Sequence, residues 1–285
     1  MSTVALPAGE SLSSFADDAL KASARLWFVV TISGQLMMAA YVAWFYGSTA
    51  VQGRVEAWNR ILTRGYVRGD TAGNVAIVVH LIAAVILIAG GALQLIPQMR
   101  DRFPRLHRWT GRVYVVTVFA ASLSGLYMTW IRGTRGDLTQ HIGGSLNAAL
   151  IILCAVFALR SAITRRFAAH RRWVLRLFLA VSAAWFYRVG LFFWLLLNDG
   201  RSVGFDLQSW QGPTLTFLSF ANSLIPLTLL ELYVRARTGG GAPGRLAMAT
   251  ALFVLTVAMG IGIFGATIGM WLPIIRAGML GVAPS

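Results

Sequence analysis

Seven stretches of about 20 apolar residues recur along this chain, at 26–46, 74–97, 112–131, 139–160, 173–197, 214–234 and 246–272. Each is long enough, at ~1.5 Å of rise per residue, to cross a hydrocarbon layer ~30 Å thick. None alternates with the period of two that a barrel strand needs, so the runs are read as helices. In lipid, only helices and closed barrels satisfy their own backbone groups. The expected fold is therefore all-α: a polytopic membrane protein of about seven transmembrane helices, with the bilayer as its main partner.

Charge agrees with this reading. Only 12% of the residues are charged, about half the share in soluble domains. The net charge of +15 comes from 25 basic residues, all but one of them arginine. They flank the apolar runs, where topology and anionic headgroups account for them without nucleic acid. Arg100, Arg102, Arg105 and Arg108 follow the second run, and Arg165, Arg166, Arg171 and Arg172 follow the fourth. By the positive-inside rule those loops and the amino terminus are cytoplasmic, and the carboxyl terminus is outside. Residues 1–25 are polar and carry Asp17 and Asp18, unlike a cleavable leader, so the first run reads as a retained anchor.

Three segments are expected: a cytoplasmic stretch at 1–25, a helical core at 26–237, and 238–285. The last begins with a flexible hinge, Thr238 to Gly244, and ends in a peripheral seventh span. Cys154 is the single cysteine, which excludes an intrachain disulfide and cysteine-held clusters. The only acid in a span is Glu231, at the cytoplasmic end of the sixth, and there is no phosphate loop, HExxH motif or zinc spacing. Proton-coupled transport, ATP-driven pumping and metallohydrolysis therefore lack visible machinery.

The chemistry that remains rests on four histidines. RFPRLHRW at 102–109 and RFAAHRRW at 166–173 repeat one pattern, which makes spans two–three and four–five two similar hairpins of a central four-helix bundle. Topology then puts His80 and His141 toward the outer side, and His107 and His170 toward the cytoplasm. Each pair comes from alternate helices, as two-imidazole ligation of a flat haem between helices requires. Haem carboxylates would find Arg108, Arg112, Arg171, Arg172 and Arg176 near the cytoplasmic pair. Interfacial histidines that contact lipid phosphate are the plain alternative. Arg188 falls near mid-bilayer, where a charge is costly and by default functional, so it is expected to meet an anion or quinone-type ligand. Gln94, Asn147 and Asn222 read as interhelical hydrogen-bonding groups.

HRWTGRVYV (107–115) and HRRWVLRLF (170–178), with His80 upstream and Arg188 downstream, resemble a family of bacterial predicted membrane proteins catalogued as a domain of unknown function. That resemblance covers roughly 74–237 and implies an inner-membrane location but no activity. The alternating histidines also look like those of the ascorbate-reducible di-haem b cytochromes of the b five-six-one type. That likeness implies a haem on His80 and His141, a second on His107 and His170, and electron exchange with a quinone or small reductant. The alternative is a non-haem protein that binds or transports an anionic lipid, metabolite or metal through Arg188 and the His/Arg motifs.

Overall fold

The protein is described by a computed structural model covering residues 8–280. Ten α-helices follow one another: α1 (Ala8–Val51), α2 (Thr71–Leu95), α3 (Pro97–Arg102), α4 (Pro104–Tyr127), α5 (Leu138–Ile163), α6 (Phe167–Val181), α7 (Ala183–Leu197), α8 (Pro213–Gly239), α9 (Ala242–Ala266) and α10 (Leu272–Leu280). Among the described residues there is no strand, only an isolated bridge between Asp206 and Gln211. Six helical segments are long and apolar enough to cross a membrane, and α6 with α7, bent by 50°, makes a seventh. Local chemistry sets the helix starts. Asp70 and Asp137 accept from the N–H of Gly73 and Gln140 and so cap α2 and α5. Prolines 97, 104 and 213 open α3, α4 and α8, where a missing N–H costs nothing.

The helices run alternately, so the arginine-rich turns α2–α4 and α5–α6 share one end, here the basic end. The loops α1–α2, α4–α5 and α7–α8 share the far end. α2 packs on α4 and α5 on α6, the two expected hairpins. The bend between α6 and α7 has a cause. Ser182 Oγ donates to the Phe178 carbonyl at 2.7 Å, back-bonding that bends helices, and accepts from Gln35 Nε2 of α1 at 2.8 Å.

Two expectations about the ends are corrected. Residues 8–25 are not a separate segment, because α1 is unbroken to Val51. Its first turns are fixed to α9 by Leu20 packed on Met248, Ala249 and Leu252, and by Arg245 reaching Asp17 (3.3 Å) and Ser13 (2.9 Å). The seventh span is not peripheral either: α9 packs along both α1 and α7. Small residues allow this, and only Gly240 and Gly241 separate α8 from α9, so the expected hinge is a tight turn. Residues 1–7 and 281–285, the extremes of the two expected end segments, lie outside the described residues.

A Cβ on Gly262 would collide with the Val189 carbonyl oxygen, which is backbone and cannot move aside. Gly262→Leu is therefore expected to wedge α9 off α7 and cost about 1–3 kcal/mol or more. Gly260→Leu, with nothing within 4 Å of the new Cβ, should unfold in micelles at the wild-type temperature.

At the far end, the Asp206 carboxylate accepts the N–H groups of Gln208 and Ser209 and the Ser209 hydroxyl. These bonds hold its pKa below the usual carboxylate range. A depressed folded pKa means the contribution is full above the ordinary value, ~3.9, and is lost as pH falls through the folded one. Protease nicking between residues 198 and 212 should accordingly rise only on the acid side of that window, and Asp206→Ala should show it already at neutral pH.

Candidate functional site

A cavity of about 390 Å³ lies inside the ring of helices, within the range of small-molecule sites. Along α4 its lining runs from Tyr114 to Leu126, about 18 Å by helix rise. Leu87, Ile88, Val118 and Phe178 give it an apolar body. Its polar groups come from five helices: Gln35 of α1, His80 of α2, Asn147 of α5, Arg188 of α7 and Asn222 of α8. α2 and α5 stand on opposite sides of this space and do not pack against each other.

His80 sits nine residues into α2, about 14 Å from its start by helix rise. Its Nδ1 is 3.1 Å from the Ala121 carbonyl oxygen and 3.2 Å from Ser124 Oγ. A carbonyl can only accept, so Nδ1 carries the proton and Nε2 keeps a bare lone pair. Gly125 makes room for the ring, since a Cβ there would lie 3.4 Å from His80 Cε1.

His141 is not brought to His80. It lies three residues into α5, its Nε2 is 3.4 Å from Thr134 Oγ1, and its ring stands edge-on to Trp130. The α5 residues at a comparable depth to His80 are Asn147 and Ala148, about two turns further in. His141 marks the outer lip of the cavity rather than its wall.

His107 and His170 share the basic end of the bundle, each three residues into its helix, α4 or α6. α4 and α6 do not pack against each other. His170 Nδ1 donates to the Ala158 carbonyl at 2.9 Å, which again leaves Nε2 bare. His107 Nδ1 is buried with no hydrogen-bond partner among the described residues. One turn on, Thr110 accepts from Gln94 of α2, the interhelical bond expected of that glutamine. The histidine pair lies about 10 Å below Tyr114 by helix rise, beyond the lining of the cavity.

The arginines divide. Arg108, Arg112, Arg171 and Arg172 are exposed at the basic end. Arg176 is committed elsewhere: it pairs with Glu231 at 2.7 Å and lies over the Trp173 ring at 4.8 Å. Arg188 donates to the Ala184 carbonyl at 2.9 Å, and no carboxylate pairs with it among the described residues.

Sequence reasoning overlooked a second intramembrane arginine. Arg132 ends the π-helical turn Met128–Gly133, and its side chain is 3% exposed. It holds Asn74 Oδ1 at 2.8 Å and Asp70 at 3.4 Å, and its carbonyl accepts from Arg64 at 2.6 Å. This network ties the α1–α2 loop, the start of α2 and the end of α4 together beside Met128, Thr129 and Thr134, which line the cavity mouth. Gln35 and Ser182 were also missed. A sequence with no partner information shows only that they are polar in an apolar run.

Among the described residues no cluster of three or more His, Cys, Asp or Glu could hold a metal ion. No curated protein and no solved structure matches the chain. Residues 77–210, which contain all four histidines, Arg132 and Arg188, match the model of a family described as "Predicted membrane protein (DUF2306)".

Proposed function

We propose that the protein carries electrons in the membrane on a b-type haem held by His107 and His170. The observation that carries this reading is the placement of those two side chains at one level on non-adjacent helices. One ring is fixed by a main-chain carbonyl, and the other has an orphaned buried nitrogen. Such a carbonyl bond orients a metal-ligating imidazole and raises its basicity. When bound, haem iron supplies a one-electron carrier. The chain supplies two imidazoles at one level and guanidinium groups at the rim that suit carboxylates. Arg108, Arg112, Arg171 and Arg172 are the rim candidates, and Arg176 is excluded by Glu231.

The reading is confined to one haem. A second on His80 and His141 would need two residues that stand about two turns apart in depth. Under the positive-inside rule the haem end faces the cytoplasm of a bacterial inner membrane. The cytochrome likeness in histidine pattern supports this site and does not extend to the outer one.

His107→Met tests the ligand assignment. A His/Met pair raises the potential of a haem relative to two imidazoles. The variant should keep haem, change its α-band and titrate at a higher midpoint potential. An unchanged spectrum and midpoint in a haem-loaded variant would remove His107 from the site.

A second reading is favoured by one observation, the unpaired Arg188 inside a formed cavity. On that reading the protein binds or transports a small anionic molecule without haem.

A further inference from the structure

We propose that Arg188, Asn147 and Asn222 form an intramembrane seat for the carboxylate of a small organic acid, whose apolar body fills the cavity beside them. This seat stands at the opposite end of the bundle from His107 and His170 and does not depend on haem there.

Arg188 lies nine residues, about 14 Å, from the far end of α7. A charge at that depth is retained only where something compensates it. A guanidinium has five N–H donors, and one acceptor, the Ala184 carbonyl, meets them among the described residues. His80, Tyr114 and Tyr187 line the same cavity, and none is an acid that would carry a negative charge at neutral pH.

The two amides are set the same way. Ser223, 2% exposed, places its hydroxyl 2.9 Å from Asn147 Oδ1 and 2.7 Å from Asn222 Oδ1. One hydroxyl proton serves one of these amides and the other turns its NH₂ to Ser223 Oγ, so each carboxamide still has an N–H without an acceptor among the described residues. Three donor groups, one of them cationic, therefore line the same cavity. His80 is pinned as the Nδ1–H tautomer and adds no charge there. The wall carries one positive charge and no negative one, so a monoanion neutralises it, and a planar carboxylate matches the guanidinium fork. Leu87, Val118 and Phe178 leave an apolar space for the rest of the molecule.

The carboxylate could belong to a free ring acid or to a fatty acid drawn from the bilayer, and the test separates the two. The full-length protein in neutral-lipid nanodiscs is titrated calorimetrically with benzoate, decanoate, benzyl alcohol and ubiquinone-1. Benzoate or decanoate should bind, and benzyl alcohol about 10–100-fold more weakly or not at all. Tighter benzoate binding assigns the seat to a ring acid, and tighter decanoate binding to a lipid acid. Arg188→Met should abolish carboxylate binding with no loss of thermal stability, because it removes an uncompensated charge. Arg188→Lys keeps the charge without the fork and should bind at intermediate strength. An Asn147→Ala/Asn222→Ala pair, which spares Arg188, should weaken binding as well.

Failure of both acids to bind overturns the proposal. So does benzoate binding equal to that of benzyl alcohol, or ubiquinone-1 binding that survives Arg188→Met while the acids do not bind.

Discussion

His170→Ala is expected to leave a folded protein with almost no haem. Losing an outer-shell partner of a metal ligand already costs about 10–100-fold in affinity, and losing the ligand itself should cost at least that. His107→Ala should do the same, because neither imidazole alone closes both faces of the iron. His80→Ala and His141→Ala should keep their haem, since His80 faces the cavity and His141 leans on Thr134 and Trp130. The ratio of haem to protein, measured on each purified variant, separates the arrangements. Loss of half the haem on His80→Ala would instead mean two haems and an outer pair that closes up when loaded.

Asp70→Ala should be the most destabilising single change at the far end. It strands the Arg132 guanidinium, whose side chain is 3% exposed, and it removes the cap of α2. Breaking a buried pair from one side costs about 3–5 kcal/mol. Asp70 is 33% exposed, which places the loss near the lower bound, with about 1 kcal/mol more for the cap. Asp70→Asn should recover the cap portion alone. Arg132→Met in the Asp70→Ala background should recover most of the remainder, because an apolar side chain of similar length needs no counter-charge. Unfolding in micelles, arranged as a double-mutant cycle, reads the coupling directly. Additive single changes would show that the two residues do not act as a pair.

The bilayer-crossing architecture was legible because hydropathy acts residue by residue over 20-residue windows, and seven such windows stand out. The hairpins α2–α4 and α5–α6 were legible from the repeated loop motifs around His107 and His170. Depth was not. Sequence topology sorts His80 and His141 to one side of the membrane, but a difference of two turns within that side depends on where each helix begins. Asp70 and Asp137 fix those starts by capping. The break at Ser182 was hidden because serine is tolerated in helices, and only its bonds to Phe178 and Gln35 turn it into a bend. α9 looked peripheral because the glycines around its turn read as a linker. Gly262 and Gly265 are in fact contact points against Val189 and Leu196. The Asp70–Arg132 pair spans two loops, and no local pattern links its members.

The most direct measurement is the absorption spectrum of the wild-type protein, expressed with ample haem and purified in a mild detergent. Haem held by His107 and His170 predicts a Soret band that shifts on reduction, sharp α and β bands, and about one haem per chain. A monodisperse, folded protein with no absorbance above the aromatic region, prepared under those conditions, would contradict it.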